Sequence, residues 1–318
     1  MTTDNTGPEQ VDFTLLENGL DFVWSAVEHL SVATSKRELK YALLHLVSGI
    51  ELILKERLRR EDWKLLFATP EKANEVLYKT GAFKSVDFSQ LIDRVEGYCF
   101  DGSWEAAESL RVVRKQRNRF EHFEGTEPAE AVIASTAAAL GVILDFIREE
   151  LSGADDHFTD TEEALLTAIR GKLTGLDAFV ETRLKSIAPE LEDAYAVLPC
   201  PLCQHDALTV DDGVECRFCG YNAEGEAAAH EYVANVREID RFRLEKDGGV
   251  WPVGFCPACD WQACVDADEK GYLCFGCGSK WDPGSFAECG HCGRWIDRDK
   301  SDISICDSCF EEQMRKGN

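Results

Sequence analysis

Apolar residues in the first half of the chain recur every three or four positions, which is the period of amphipathic helices. The first such stripe begins at Phe13 and continues to about Leu30. A second stripe follows Ser35 and continues to Arg60. Ser35 and Glu38 form a Ser-x-x-Glu pattern, which is typical of a capped helix start. The sequence therefore predicts two long helices in this part of the chain.

Further helices are predicted over residues 71–79, 87–97, 103–123 and 128–151. Gly125 ends the third long helix, and Pro128 opens the fourth. Four long helices joined by short connections predict a mainly α fold, with a helical bundle over residues 10–151.

A polar, acidic stretch separates this bundle from the rest of the chain and is predicted to be a linker. Behind it, Thr159 and Glu162 form a second capping pattern, followed by apolar residues at helical spacing as far as Leu184. We therefore assign residues 152–198 to a linker and one connecting helix. Another helix is predicted from Ala227 to Phe242.

Thirteen of the fourteen cysteines lie in the last 120 residues, and twelve of these form six Cys-x-x-Cys pairs. Within the three successive sets of four, the two pairs are separated by twelve, fourteen and thirteen residues. Two tight turns at this separation suit a tetrahedral metal site, so we predict three structural zinc ions. The predicted ligands are Cys200, Cys203, Cys216, Cys219, Cys256, Cys259, Cys274, Cys277, Cys289, Cys292, Cys306 and Cys309.

The predicted zinc ribbons are small β-hairpin modules over residues 199–222, 251–282 and 283–312, with a helical insert over 223–250. Such modules have too little apolar surface to fold alone, so metal binding would supply their stability. Disulfide or redox pairs are the less favoured interpretation of the six pairs.

Charge limits what the ribbons can bind. The chain carries a net charge of −25, and residues 199–318 contain 23 acidic and 12 basic residues. This balance disfavours a general grip on nucleic acid and leaves scaffolding or a protein partner as the main expectations for the ribbons. The reduced thiols indicate a cytoplasmic protein, and we expect no membrane-spanning segment.

The most basic stretch of the chain lies in the third long helix. It contains Arg111, Arg114, Lys115, Arg117 and Arg119. Positions 111, 114, 115, 118 and 122 share one helical face, where a polyanion could bind. A solvated face of an amphipathic helix is the simpler alternative for such a run of charge.

The order Arg117, Asn118, three residues, His122 at the end of this helix resembles the Arg-x4-6-His motif of HEPN domains. The helix order agrees, and the segment 46–55 is similar to the second helix of many such proteins. The resemblance covers roughly residues 10–151 and not the ribbons. It implies metal-independent cleavage of RNA, with Arg117, Asn118 and His122 as catalytic residues.

In the implied reaction, a 2′-hydroxyl attacks the adjacent phosphate. An imidazole can move protons near neutral pH, and a guanidinium can hold two phosphate oxygens, so His122 and Arg117 suit these roles. We expect Arg111, Arg114, Lys115 and Arg119 to bind the RNA substrate.

Family members commonly dimerise so that two motifs share one cleft. Residues 117 and 122 lie about 140° apart on an ideal helix, which suits either a site completed by a partner or a helix that ends at His122. We therefore expect a homodimer formed through the bundle.

The function implied by the resemblance is a HEPN-type endoribonuclease, in a defence or toxin-like role, with the ribbons in recognition or regulation. One alternative is a noncatalytic HEPN-fold dimer that acts as a zinc-ribbon scaffold for protein interactions. A second alternative is a DNA-binding regulator that reads DNA through its ribbons, which the acidic second half of the chain disfavours.

Overall fold

The structure is a computed structural model that describes residues 11–32, 35–152, 158–211, 213–267, 271–291, 295–297 and 305–316. It contains two compact units, residues 1–185 and 186–318. The described part of the chain is mainly helical, with small antiparallel sheets towards the carboxyl terminus, as the sequence predicted.

The first unit is built from helices α1 (Leu15–Ser31), α2 (Lys36–Glu61), α3 (Glu75–Thr80), α4 (Phe88–Cys99), α5 (Ala107–His122), α6 (Ala129–Glu150) and α7 (Asp160–Leu173), and it also contains the first part of α8 (Asp177–Asp193). Short 3-10 turns cover Trp63–Leu66 and Pro70–Lys72. The predicted helical bundle is therefore present.

Helix α2 is the centre of this bundle, since α1, α4, α5 and α6 all pack against it. Its closest approach is to α1 at Gly19 and Gly49. A methyl group on Gly49 would lie 2.7 Å from the Gly19 carbonyl oxygen, so the crossing requires glycine. This contact allows the apolar stripes of both helices to be buried together, with residues such as Leu20 and Leu46 fully enclosed.

The predicted capping of α2 is half correct. The Ser35 side chain accepts a hydrogen bond from the Glu38 amide, as expected. The Glu38 carboxylate does not return to the cap, because it bonds His29 Nδ1 at 2.6 Å.

The single connecting helix predicted behind Thr159 was wrong. The chain breaks at residues 174–176, around Gly175, and forms two helices, α7 and α8. The capping box of Thr159 and Glu162 is present. Helix α7 packs on α1, and the Thr14 hydroxyl donates to Glu162 at 3.0 Å, so α7 is part of the helical unit.

Helix α6 has the length and composition of a membrane span, although no such span was expected from the sequence. It packs against α2 and α5, and its apolar residues, among them Leu140 and Phe146, are buried inside the unit. Its hydropathy is thus that of a core helix.

The described residues of the second unit form two four-stranded antiparallel sheets and one hairpin. The strands are β1 (Val197–Pro199), β2 (Asp206–Val210), β3 (Val214–Cys216), β4 (Asn222–Ala223), β5 (Val253–Gly254), β6 (Cys264–Asp266), β7 (Tyr272–Cys274), β8 (Lys280–Trp281), β9 (Phe286–Glu288) and β10 (Trp295–Asp297). The sheets follow chain order, β1-β2-β3-β4 and β5-β6-β7-β8, and β9 pairs with β10.

Helices α9 (Gly225–Asn235) and α10 (Arg241–Lys246) lie between the two sheets in sequence, and α11 (Asp307–Lys316) follows the hairpin. The prediction of one helix from Ala227 to Phe242 was wrong, because the chain turns after α9 and Asp240 caps a separate helix. A methyl group on Gly225 would lie 2.6 Å from the backbone of Gly276, so α9 begins directly against the second sheet module.

Candidate functional site

The cysteine pairs of the first two modules share one backbone geometry. In each of these four pairs, the residue after the second cysteine has a positive φ, between 61° and 71°, and its amide donates to the carbonyl of the first cysteine at 2.8–2.9 Å. These four residues are Gln204, Gly220, Asp260 and Gly278. The left-handed residue closes a tight turn that points both thiols to the same side.

Further amides point at the sulfur atoms. The amides of Leu202, Ala258 and Gly276 donate to the cysteine two positions before them at 3.3–3.4 Å. Such bonds offset the negative charge of thiolates bound to a cation.

The four sulfur atoms of each of these modules fit a tetrahedral metal ion. Sulfur atoms in separate turns lie 3.6 and 3.8 Å apart in the first module and 3.7 Å apart in the second. A tetrahedron with metal–sulfur bonds of about 2.3 Å has edges of about 3.8 Å. Two turns that converge on one point are thus placed to hold a metal ion, and none of the described cysteines forms a disulfide.

In the third module, Cys289, Cys306 and Cys309 also form a cluster. The fourth predicted ligand, Cys292, lies outside the described residues. The Cys306 amide donates to the Cys289 sulfur at 3.3 Å, which joins the two ends of the module.

The two cysteines outside the clusters are not placed as nucleophiles. Cys264 is buried in β6, and burial raises the pKa of its thiol. Cys99 is half-buried, and burial raises its pKa to about 12. Both thiols therefore remain protonated near neutral pH.

The second candidate site is the carboxyl end of α5. Arg117, Asn118 and His122 all lie on its last two turns, as predicted. Arg117 Nη1 donates to Asn118 Oδ1 at 3.3 Å. Arg117 is mostly buried, with 22% of its side chain exposed, whereas His122 is 58% exposed.

Glu121 brings Arg117 and His122 together, a role that the sequence did not show. Its Oε2 atom forms an ion pair with Arg117 Nη1 and lies 3.5 Å from His122 Nε2. The long side chains therefore converge on one carboxylate oxygen, although their positions differ by about 140° around an ideal helix. Within the described part of the chain, the buried Nε of Arg117 has no hydrogen-bond acceptor.

A groove of about 460 Å³ lies beside this motif, between α5 and the start of α4. It is lined by Asp87, Phe88, Ser89, Arg111, Arg114, Lys115, Asn118, Arg119 and Phe123. All four predicted substrate-binding cations therefore line one groove, together with Asn118. We refer to it as the basic groove.

The four cations differ in how free they are to meet an anion. Arg111 donates to Glu96 at 2.9 Å and has two more carboxylates within 4.0 Å. Arg119 forms an ion pair with Glu127. Among the described residues, Arg114 and Lys115 have no ion-pair partner, and the Arg114 guanidinium lies 5.2 Å from the Phe88 ring. These two are therefore the more available cations.

Glu127 was also missed by sequence reasoning. Besides its ion pair with Arg119, Glu127 accepts a hydrogen bond from the side-chain Nε2 of Gln116 at 3.0 Å. The side-chain Oε1 of Gln116 in turn accepts a hydrogen bond from the Ser135 hydroxyl of α6. The network fixes the loop between α5 and α6 against both helices. The sequence gives little indication of this network, because its residues come from three separate segments of the chain.

No protein-family model, curated protein or solved structure matches this chain. The resemblance to HEPN domains therefore rests on the motif in α5 and on the order of the helices.

Proposed function

We propose that the helical unit is a metal-independent endoribonuclease of HEPN type. The observation that carries this proposal is the convergence of Arg117 and His122 on a single carboxylate oxygen of Glu121. A guanidinium and an imidazole that already share one anionic oxygen are spaced to share a phosphate oxygen. The basic groove beside them supplies a path for the flanking strand.

The chemistry follows from these groups. Cleavage requires removal of a proton from the 2′-hydroxyl, stabilisation of the phosphorane and protonation of the 5′-oxygen. His122 exchanges one of these protons, and Arg117 stabilises the developing charge through two donors of its fork. Asn118, bonded to Arg117, orients that fork.

A single histidine supplies only one of the two proton transfers, so we propose that a second copy of the chain completes the site. Phe123, the residue after His122, is 77% exposed, and Val112 on the same helix is 39% exposed. Exposed apolar side chains beside a catalytic motif suit burial in a homodimer.

We further propose that the three thiol clusters bind zinc. The acidic zinc ribbons would act in recognition or regulation and would not bind RNA nonspecifically. A role in defence or growth arrest would suit such a nuclease. The second candidate function is a noncatalytic scaffold, which is favoured by the engagement of Arg111 and Arg119 with carboxylates.

The test is cleavage of total RNA by purified protein in EDTA, after metal analysis shows that zinc is retained. We expect His122→Ala and Arg117→Ala each to lower the rate at least about 100-fold, the usual scale for acid–base and charge-stabilising groups. Lys79→Ala is the control, since Lys79 is exposed on α3 and pairs with Glu75. Equal cleavage by all four proteins would point to a contaminating nuclease and exclude α5 as the site. Absence of cleavage by a folded, dimeric protein would favour the scaffold.

A further inference from the structure

The thiols of the first two ribbon modules differ in their access to solvent. In the first module each ligating cysteine is at most 3% exposed, and these residues are Cys200, Cys203, Cys216 and Cys219. In the second module, Cys256 and Cys274 are buried and Cys259 is partly buried, but Cys277 is exposed. Since both modules share the same turn geometry, the exposure of Cys277 has a cause of its own.

That cause is the residue before the thiol. Gly276 precedes Cys277 and is itself exposed. At the equivalent position of the first module, Phe218 precedes Cys219 and is fully buried, with the centroid of the His205 ring 4.1 Å from its own. A glycine has no side chain with which to cover the neighbouring sulfur. The second module therefore presents one thiol of its metal site to small molecules in solution.

A second thiol lies within reach of Cys277. The sulfur atoms of Cys277 and Cys256, which belong to different turns, are 3.7 Å apart. The other pair of sulfur atoms between the two turns, Cys259 and Cys274, has the same separation of 3.7 Å. Proximity does not distinguish these two pairs, so solvent access decides which of them an oxidant in solution reaches. An accessible thiolate beside a second thiolate is the arrangement that peroxides convert to a disulfide.

We propose that Cys277 is a site of oxidation by peroxides, and that its oxidation releases the metal ion of the second module while the first module keeps its own. This inference rests on the proposed zinc binding and does not depend on cleavage of RNA at α5. It makes the second module the oxidant-sensitive one of the two four-thiol modules in the described part of the chain.

The oxidation proceeds in two balanced steps. The Cys277 sulfur attacks one oxygen of hydrogen peroxide, the O–O bond breaks, and the products are a sulfenic acid and one molecule of water. The Cys256 sulfur then attacks the sulfenic sulfur and displaces its oxygen, which leaves as a second water. The two thiols lose two electrons and the peroxide gains them. The disulfide removes two of the four ligands, so the module no longer holds its ion.

The experiment treats the full-length zinc-loaded protein with hydrogen peroxide after metal analysis. Zinc release is followed with a chromogenic chelator, against a sample without peroxide. Alkylation of the remaining thiols and mass spectrometry then give the oxidation rate of each cysteine and the disulfides formed. Cys277→His keeps a zinc-binding side chain at this position but removes the oxidisable sulfur. Cys219→His is the matched control at the equivalent position of the first module.

We expect the Cys277 thiol to be lost at least about tenfold faster than any thiol of the first module, because reaction with peroxide follows exposure of the thiolate. A disulfide between Cys256 and Cys277 should accumulate as the first equivalent of zinc is released. Cys277→His should slow this release at least about tenfold, whereas Cys219→His should change its rate less than about twofold. Dithiothreitol with added zinc should restore the metal content.

Three outcomes with zinc-loaded protein would overturn the proposal. Loss of thiols at equal rates in both modules would show that access to Cys277 does not direct the oxidation. A disulfide between Cys259 and Cys274 would assign the reaction to the other pair. Release of zinc from Cys277→His at the rate of the wild type would exclude this thiol, and the mapping of thiols in the wild type decides the question if the variant does not fold. A protein that binds no zinc at all would instead refute the zinc sites themselves.

Discussion

Glu121 occupies the position where the proposed reaction needs a phosphate oxygen, and this gives a prediction with an unusual sign. Its carboxylate engages Arg117 and lies 3.5 Å from His122, so RNA must displace it before both groups can act. Glu121→Gln keeps the shape of the side chain but removes the charge. We therefore expect the variant to cleave faster than the wild type.

The size of the expected rate increase follows from the solvent exposure of the Glu121 and Arg117 side chains. The side chains of Glu121 and Arg117 are 35% and 22% exposed, so the pair is near the surface and contributes about 1 kcal/mol at most. Loss of the repulsion between carboxylate and phosphate acts in the same direction. The lost ion pair and the lost repulsion together predict a rise in kcat/KM of about fivefold, since 1.4 kcal/mol is a factor of ten.

The assay is cleavage of a labelled RNA under conditions where the rate is proportional to kcat/KM, at low salt and at 0.3 M salt. Glu124→Gln is the control, because it removes the same charge from the same end of α5 without altering the Arg117–Glu121–His122 contacts. We expect Glu121→Gln to raise kcat/KM more than Glu124→Gln does. Part of this increase should persist at 0.3 M salt. A rate below that of the wild type would show that Glu121 orients the site, and the argument for a blocking carboxylate would be refuted.

Three further predictions concern stability and metal content. Burial, with a smaller effect of a nearby histidine, holds the pKa of His45 below its usual value of 6.5, so the unfolded chain binds this proton more readily. The free energy of unfolding is therefore unaffected by this histidine above about pH 6.5 and falls as the pH drops below that value. His45→Gln should make Tm fall less steeply between pH 7.5 and pH 5.5. An unchanged pH dependence of Tm would contradict this. Gly49→Ala should destabilise the unit by about 1–3 kcal/mol in urea unfolding, because its methyl group meets a facing carbonyl, whereas Gly97→Ala, in open space on α4, should be neutral or stabilising. Cys216→Ser should lower the metal content by one ion per chain, while Cys264→Ala should leave it unchanged; equal loss in both would refute the assigned ligand set.

The sequence predicted the long helices of the bundle because their apolar stripes are buried at the expected positions. Leu16, Leu20 and Val23 of α1, for example, are almost completely buried. The thiol clusters were also predictable, since the chemistry of a tight turn is local and repeats with each cysteine pair. The break at Gly175 was missed, because a glycine within an apolar stripe does not show whether tertiary packing will support a continuous helix.

The arrangement of side chains around α5 was harder to predict from the sequence. A helical wheel shows the direction in which each side chain leaves the backbone, but not how far a guanidinium reaches along the helix. It therefore placed Arg117 and His122 apart, whereas both reach Glu121. The partners of Arg119 and Arg111, which are Glu127 and Glu96, lie in other segments, and only tertiary structure brings them to these cations.

The contact between the second and third ribbon modules has a consequence for the order in which the thiol clusters fill. Trp295 of β10 packs on Gly254 of β5, where an added methyl group would lie 2.6 Å from its ring, and against the ring of Tyr272 in β7 at 5.1 Å. Both surfaces belong to a module whose proposed metal ion would supply its folding free energy. The third module would then find its docking surface only after the second is loaded, so we expect these two modules to assemble in sequence. Chelation would proceed in the reverse order, starting from the carboxyl-terminal cluster.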